Sequence, residues 1–211
     1  MKLDSFQLKW IAIITMLIDH VGAIFFPGNL VFRYVGRIAF PIFCFQLVEG
    51  FFHTRNIEKY MLRLGIFAII SEIPYDLAFR GNILDFEHQN VFFTLAIGVG
   101  MMYCLEKCSG PILKIIYVLL AMWIATTLVT DYSNKGILLI SIYYFLKDQK
   151  VEKIILGALW NLAWGIIQSF GALASIFIAL YNGERGKSMK YFFYVFYPMH
   201  LLLLYVINVI F

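Results

Sequence analysis

The chain has 211 residues, of which 62% are apolar and only 14% are charged. This apolar share exceeds that of ordinary soluble domains, and every hydrophilic stretch is short. The length allows one domain of several short membrane spans, residues 1–211, and excludes a membrane part joined to a separate soluble enzyme. The net charge of +4 does not indicate a nucleic-acid partner, so the partner that this composition predicts is the lipid bilayer.

Nine apolar segments predict an all-α polytopic membrane protein. A spanning helix needs about 20 mostly apolar residues, and several of the nine segments are shorter. Helix breakers such as Pro27-Gly28, Gly81-Asn82 and Gly110-Pro111 separate them. The predicted spans, of which the sixth and eighth are short enough to be half-spans, are 8–26, 36–54, 60–80, 90–106, 111–130, 135–147, 151–168, 170–182 and 190–210.

The basic residues predict the orientation. With the N-terminus in the cytoplasm and the C-terminus outside, most Lys and Arg residues lie at cytoplasmic ends, as the positive-inside rule expects. We therefore expect a multi-pass membrane protein with its N-terminus in the cytoplasm. The first span lacks a small-residue cleavage site, so it should remain as an anchor. The outer ends hold only Arg33, Arg37, Arg80 and Lys135, against thirteen basic residues at the inner ends.

The first span carries two adjacent ionisable residues, Asp19 and His20. Such residues are costly in a bilayer and usually mark a proton, ion or substrate site. On the predicted topology, the next spans bring further polar groups toward the same outer level. We predict an acidic outer cavity that contains Asp19, His20, Arg37, Glu72, Asp76, Gln89, Asn90 and Asp131.

A second polar level lies toward the cytoplasm. Gln46, Glu49 and His53 follow i, i+3, i+7 spacing and form one stripe on span two. Basic residues nearby, among them Arg55, Arg63 and Arg185, suit a phosphate-bearing ligand because guanidinium groups pair with phosphate oxygens. Two alternatives remain open: the basic residues could be topology determinants and lipid anchors, and Glu49 with His53 could be an interhelical pair.

The last span places Tyr197 and His200 on one face, with Pro198 between them. The proline kinks the helix and frees a carbonyl. The two side chains could act on one bound group, or His200 could only hydrogen-bond the freed carbonyl. No metal site is predicted, because neither the His and carboxylate spacings nor the isolated Cys44, Cys104 and Cys108 form a ligand set.

Six stretches of the sequence are distinctive: residues 8–20 (LKWIAIITMLIDH), 36–50 (GRIAFPIFCFQLVEG), 71–77 (SEIPYDL), 89–94 (QNVFFT), 130–132 (TDY) and 180–202 (LYNGERGKSMKYFFYVFYPMHLL). Together they resemble the TraX family over nearly the whole chain. That family is named for a conjugative-plasmid protein that acetylates the amino terminus of pilin, and it is similar to integral-membrane acyltransferases acting on cell-surface polysaccharides. The larger group carries an Arg, ten residues and a catalytic His, a spacing that falls here on Lys9 and His20. Lys keeps the positive charge but loses the bidentate fork.

The resemblance implies transfer of an acetyl group from cytoplasmic acetyl-CoA to an amine or hydroxyl of a protein or glycan acceptor at the outer face. His20 would act as base or carry the acetyl group, oriented by Asp19 or Glu72. The oxyanion or acceptor would be held by Arg37, Asp76, Gln89, Asn90, Tyr197 and His200, and the donor by Lys9, Glu49, His53, Arg55, Arg63 and Arg185. No pilus-specific feature occurs in the sequence, so the pilin substrate does not follow from the resemblance.

Two other functional classes fit the same residues. A proton-coupled small-molecule transporter or flippase would use Asp19, Glu72 and Asp76 as a proton relay. It explains the acids but not the basic inner rim. A non-catalytic membrane scaffold would tolerate replacement of all the buried ionisable residues.

Overall fold

The computed structural model describes residues 2–210, with the backbone alone for Lys190. Within this range the chain forms eleven α-helices and one 3-10 turn, Phe170–Leu173, and no β-strand. The helices are α1 (Ser5–Phe25), α2 (Leu30–Gly36), α3 (Ala39–His53), α4 (Ile57–Arg80), α5 (Val91–Lys107), α6 (Pro111–Thr127), α7 (Ser133–Phe145), α8 (Lys150–Ala163), α9 (Ile166–Ser169), α10 (Ala174–Ala179) and α11 (Lys190–Ile210).

Every predicted span coincides with a helical part of the described chain, so the all-α prediction is confirmed. Three helical stretches are long and apolar enough to cross a membrane: α1, the α2–α3 stretch and α11. The apolar helix α6 and the 166–179 stretch are shorter. The nine-span count and the orientation of the termini remain predictions.

The second predicted span differs from the structure in its beginning. The helical stretch starts at Leu30 rather than residue 36, and it is interrupted between Gly36 and Ala39. Pro41 explains the interruption, because a proline cannot donate to the carbonyl four residues earlier and its ring crowds that carbonyl. The freed carbonyl belongs to Arg37, so the interruption falls at a predicted site residue.

The seventh and eighth predicted spans, 151–168 and 170–182, also differ from the structure. Residues 166–179 form two short α-helices joined by the 3-10 turn, and α8 ends at Ala163 rather than at residue 168. Gly165 has a φ of 119°, a conformation that side chains rarely allow, so the chain turns here. Even a continuous helix over residues 166–179 would be only about 21 Å long, which is less than the thickness of about 30 Å of the hydrocarbon core of a bilayer.

Helix α3 lies at the centre of the fold. It packs against α1, α5, α7 and α10, and its side chains Phe40, Ile42 and Phe45 are almost fully buried. The neighbouring helices alternate in direction, so the connections gather at two ends. At the N-terminal end, Leu3 pairs with Tyr181. At the opposite end, which we call the distal end, Gln89 pairs with Thr130.

The outer surface of the bundle is apolar. On α6, Ile112, Ile115, Leu119 and Trp123 are all more than half exposed and recur at helical spacing along one face. Soluble proteins rarely expose continuous apolar surface of this kind. The described surface is therefore that of a membrane protein, with its polar groups turned inward.

Candidate functional site

Asp19 forms a buried charge cluster with two arginines. Its Oδ2 accepts hydrogen bonds from Arg37 Nη2 at 2.7 Å and from Arg33 Nη1 at 2.9 Å. The two arginines lie four residues apart at the end of α2, so both can reach one carboxylate on α1. Gly36 makes this contact possible, because a Cβ there would collide with the Asp19 side chain.

His20 does not contact Asp19 and instead meets α11. Adjacent helical residues point about 100° apart, so the two side chains leave α1 in different directions. The Nδ1 atom of His20 lies 2.7 Å from Nε2 of His200, and the ring planes differ by 5°. His200 Nδ1 in turn lies 2.7 Å from the Phe196 carbonyl. Asp19 therefore orients two arginines here and not the imidazole of His20.

The acids of α4 form a separate network. Glu72 Oε2 accepts from the backbone N–H of Asn90 at 3.4 Å and also from its side-chain amide. Asp76 Oδ2 accepts from the backbone N–H of Asp85 at 2.8 Å. The structure therefore turns Glu72 toward Asn90 rather than toward His20, although the sequence suggested that it could orient the imidazole.

Asn90 and Gln89 have structural contacts. Asn90 Oδ1 caps α5 by accepting from Phe92 N–H, and its amide donates to the Ala68 carbonyl. The Gln89 backbone exchanges hydrogen bonds with Val129 and Asp131 across the distal end. Both residues hold the helix ends together, and neither lines the cavity described next.

A cavity of about 360 Å³ opens beside His20 at the distal end. Five of the residues predicted for the outer cavity or the site line it: Asp19, His20, Arg37, Asp131 and Tyr197. His200 stands behind His20 and is buried. Further polar groups in the wall are Arg33, Arg80, Tyr75, His88 and Tyr132.

Sequence reasoning did not assign roles to several of these wall residues. Tyr75 and His88 are joined by a 2.9 Å hydrogen bond between Oη and Nδ1, a pairing across a loop that no periodicity shows. The topology places Arg33 among the basic residues at the outer ends of the spans. Its i, i+4 spacing to Arg37 also indicates that both side chains can reach one partner. Burial raises the pKa of the Asp131 carboxyl, which lies in the loop before α7.

The predicted donor-binding residues fall into two groups at the N-terminal end. Lys9, Arg63 and Arg185 lie around the start of α11: the Lys9 ammonium is 5.8 Å from the Phe193 ring, Arg63 lies close to Tyr194, and Arg185 donates to Ser188. Lys9 and Arg185 are close enough to repel each other.

Glu49 and His53 lie elsewhere. Glu49 faces Lys153 of α8 at 3.9 Å, and His53 Nδ1 bonds the Glu49 carbonyl at 2.7 Å. Arg55 is exposed in the link between α3 and α4. The structure therefore does not bring these three residues to the cations around α11.

Metal chemistry has no ligand set in the described part of the chain. Across residues 2–210, no group of three or more His, Cys, Asp or Glu side chains is placed to hold an ion.

The fold and site define an all-helical membrane protein with a buried polar cavity. The sequence model described as TraX protein matches residues 5–208, and the chain belongs to this family. A relative described as probable fimbrial assembly protein FimC, serogroup H1, of Dichelobacter nodosus is 31% identical, with 95% of this chain and 94% of the relative covered. Protein TraX of Escherichia coli is 28% identical, with 72% of this chain and 60% of that protein covered.

A third relative is an uncharacterized protein of Rickettsia prowazekii (strain Madrid E), 25% identical over 69% of this chain and 56% of that protein. No solved structure matches the chain.

Proposed function

We propose that this protein is a membrane-embedded acyltransferase that moves an acetyl group from cytoplasmic acetyl-CoA to an amine or hydroxyl acceptor at the outer face. The observation that carries the proposal is the imidazole of His20, which borders the polar cavity and is held from behind by His200. A positioned imidazole is the commonest general base and can also accept an acyl group. The family membership supports the same chemistry.

The donor would bind at the N-terminal end, around the start of α11. Lys9, Arg63 and Arg185 supply positive charge there for the phosphates. The Nε atom of Arg63 is buried and has no hydrogen-bond partner among the described residues. A wider rim around this donor site, at the same end of the bundle, would include Arg55, Glu49 and His53.

Helices α1, α4 and α11 connect the basic N-terminal end with His20. Lys9 and His20 are eleven residues apart on α1, which places them on one face and about 16 Å apart along the axis. Helix α11 supplies Phe193 near Lys9 and His200 near His20, and α4 supplies Arg63 and then Phe79, whose ring centroid is 5.3 Å from that of His20. A pantetheine arm would follow this seam and bring the thioester to the imidazole.

Chemistry would occur in the cavity. His20 would take the proton of the attacking amine or hydroxyl, the acceptor would attack the thioester carbonyl, and the sulfur–carbon bond would break. The proton held by His20 would then pass to the thiolate, releasing CoA. Arg37 and Tyr197 line the same cavity and could stabilise the oxyanion or hold the acceptor.

The acceptor would be a protein amino terminus or a cell-surface glycan. The names of two relatives, a probable fimbrial assembly protein and TraX, favour a pilus or fimbrial subunit as the first acceptor to test. The proposed location is a bacterial cytoplasmic membrane, with several spans and the distal end outside.

One observation favours a second candidate, a proton-coupled transporter or flippase. Glu72 Oε1 and Asp76 Oδ1 are buried and have no hydrogen-bond partner among the described residues, as proton-relay carboxyls can be. Purified protein in liposomes separates the candidates. An acyltransferase releases CoA from labelled acetyl-CoA and labels a peptide with a free amino terminus or an amino sugar. A transporter moves solute with a pH gradient and without acetyl-CoA.

A further inference from the structure

The hydrogen bonds around His200 determine which nitrogen of that ring carries hydrogen. A carbonyl oxygen can only accept, so the 2.7 Å contact between His200 Nδ1 and the Phe196 carbonyl requires a hydrogen on Nδ1. A neutral imidazole has one N–H, and Nε2 of His200 is then a bare acceptor. No described carboxylate touches either ring, and a charged imidazole is costly among apolar helices.

The same reasoning extends to His20. Its Nδ1 lies 2.7 Å from the bare Nε2 of His200, so His20 Nδ1 carries the hydrogen and donates. The ring centroids are 5.0 Å apart and the planes nearly parallel, as expected when this hydrogen bond runs in the plane shared by both rings. The remaining nitrogen, Nε2 of His20, carries a lone pair and has no hydrogen-bond partner among residues 2–210.

We propose that His200 is a positioning residue that fixes the tautomer of His20, so that Nε2 of His20 is the nitrogen that acts on the acceptor. This rests on the proposed function. His20 lines the cavity, whereas His200 lies behind it. When Nε2 takes the acceptor's proton, the Nδ1 hydrogen of His20 can move to His200 Nε2, and His200 then shares the positive charge while donating to Phe196.

The proton returns by the same route in reverse. Nδ1 of His20 recovers its hydrogen from His200, and Nε2 delivers its proton to the leaving thiolate. The acyl group moves from sulfur to the acceptor, one sulfur–carbon bond breaks, and one carbon–nitrogen or carbon–oxygen bond forms. Both imidazoles end neutral, in their starting tautomers.

The tautomer can be measured without any activity. The chain has four histidines, so nitrogen NMR of 15N-histidine-labelled protein is tractable, and loss of signals in H20N and H200Q assigns the pair. We expect the Nδ1–H tautomer for both rings. An Nε2–H tautomer at His20 would overturn the proposal, whether or not the protein transfers acetyl groups.

Two variants of His200 test its role in turnover. In H200Q, the side-chain oxygen can still accept from His20 Nδ1, whereas H200L fills similar space without an acceptor. We expect kcat to fall by less than about tenfold in H200Q and by about 10²–10⁴-fold in H200L, with little change in KM for acetyl-CoA. M199L, at an exposed neighbouring position, controls for changes in α11.

Equal kcat in H200L and M199L would overturn the positioning role even if the tautomers are as expected. Thermal unfolding and membrane insertion of each variant separate misfolding from lost positioning. A wild-type protein that releases no CoA would contradict the proposed function and leave the tautomer result readable.

Discussion

Asp19 and Arg37 form a buried ion pair, with 2.7 Å between Oδ2 and Nη2. The pair joins α1 to the interruption between α2 and α3, and Arg33 adds a second guanidinium to the same oxygen at 2.9 Å. Both partners are largely hidden, since 8% of the Asp19 side chain and 14% of the Arg37 side chain are exposed. The pair therefore holds one wall of the cavity beside His20.

Removing the charge of Asp19 should destabilise the fold. In D19N, Arg37 keeps a buried positive charge without a counter-ion, and breaking a buried pair typically costs about 3–5 kcal/mol. We expect a clear fall in the thermal unfolding midpoint in detergent. R80Q is the matched control, because it breaks the Arg80–Glu87 pair, 3.8 Å long and exposed, for about 1 kcal/mol or less. Equal midpoints for the two variants would contradict this account.

Gly36 should be intolerant of a side chain. In G36A the new Cβ would overlap Asp19, so the carboxylate must move away from its arginines. We expect a lower unfolding midpoint and lower transfer activity. G65A is the control, because a Cβ at that position of α4 meets nothing within 4 Å and alanine is the better helix former. A G36A protein as stable as G65A would show that the close approach is unimportant.

The helices were predictable because the length of an apolar segment and the helix-breaking residues at its ends can both be recognised from neighbouring residues in the sequence. Gly81 caps the end of α4 and Gly110 the start of α6, both with positive φ and both next to a predicted boundary. The sequence did not indicate the interruption at residues 37–38 although Pro41 was visible, because the predicted span began at residue 36 and the helical turns before it were not assigned. The broken 166–179 stretch was divided between two predicted spans, 151–168 and 170–182, because its apolar residues give no signal for the turn at Gly165.

The sequence indicated some of the residues that line the cavity but not how they pair. The cost of burying charge indicated Asp19 and His20. Their partners depend on the angle at which each side chain leaves α1 and on which helix lies there. His200 is 180 positions from His20 in sequence, and no local spacing reports that contact.

Substitutions of Glu72 and Asn90 should show whether this pair has a structural role or takes part in a proton relay. N90A removes the cap of α5, leaves the Ala68 carbonyl without its donor and leaves Glu72 with only the backbone N–H of residue 90, so we expect a loss of about 2–4 kcal/mol. E72Q keeps the shape and a hydrogen-bonding group, and we expect it to retain most transfer activity because Glu72 does not touch His20. Loss of transfer in a folded E72Q protein would contradict this, and loss of pH-driven transport would favour the alternative.

The cations around the start of α11 should govern donor binding. R63A and R185A each remove a charge that would face phosphates, so we expect KM for acetyl-CoA to rise about five- to tenfold, corresponding to about 1–1.4 kcal/mol, with kcat little changed. K114A is the control, since Lys114 lies on α6, whose main neighbours are α5 and α7. A similar rise in K114A would indicate general attraction by the basic surface. No rise in R63A and R185A would place the donor elsewhere.

The rate of acetyl transfer by H20N tests the central claim most directly. Asparagine can still donate to His200 from the position of Nδ1, but it has no nitrogen in place of Nε2. Wild type and H20N would be compared in proteoliposomes with labelled acetyl-CoA and a peptide carrying a free amino terminus or an amino sugar. We predict a folded, inserted H20N protein whose transfer rate is about 10²–10⁴-fold below wild type. Transfer by H20N at the wild-type rate would contradict the assignment of His20.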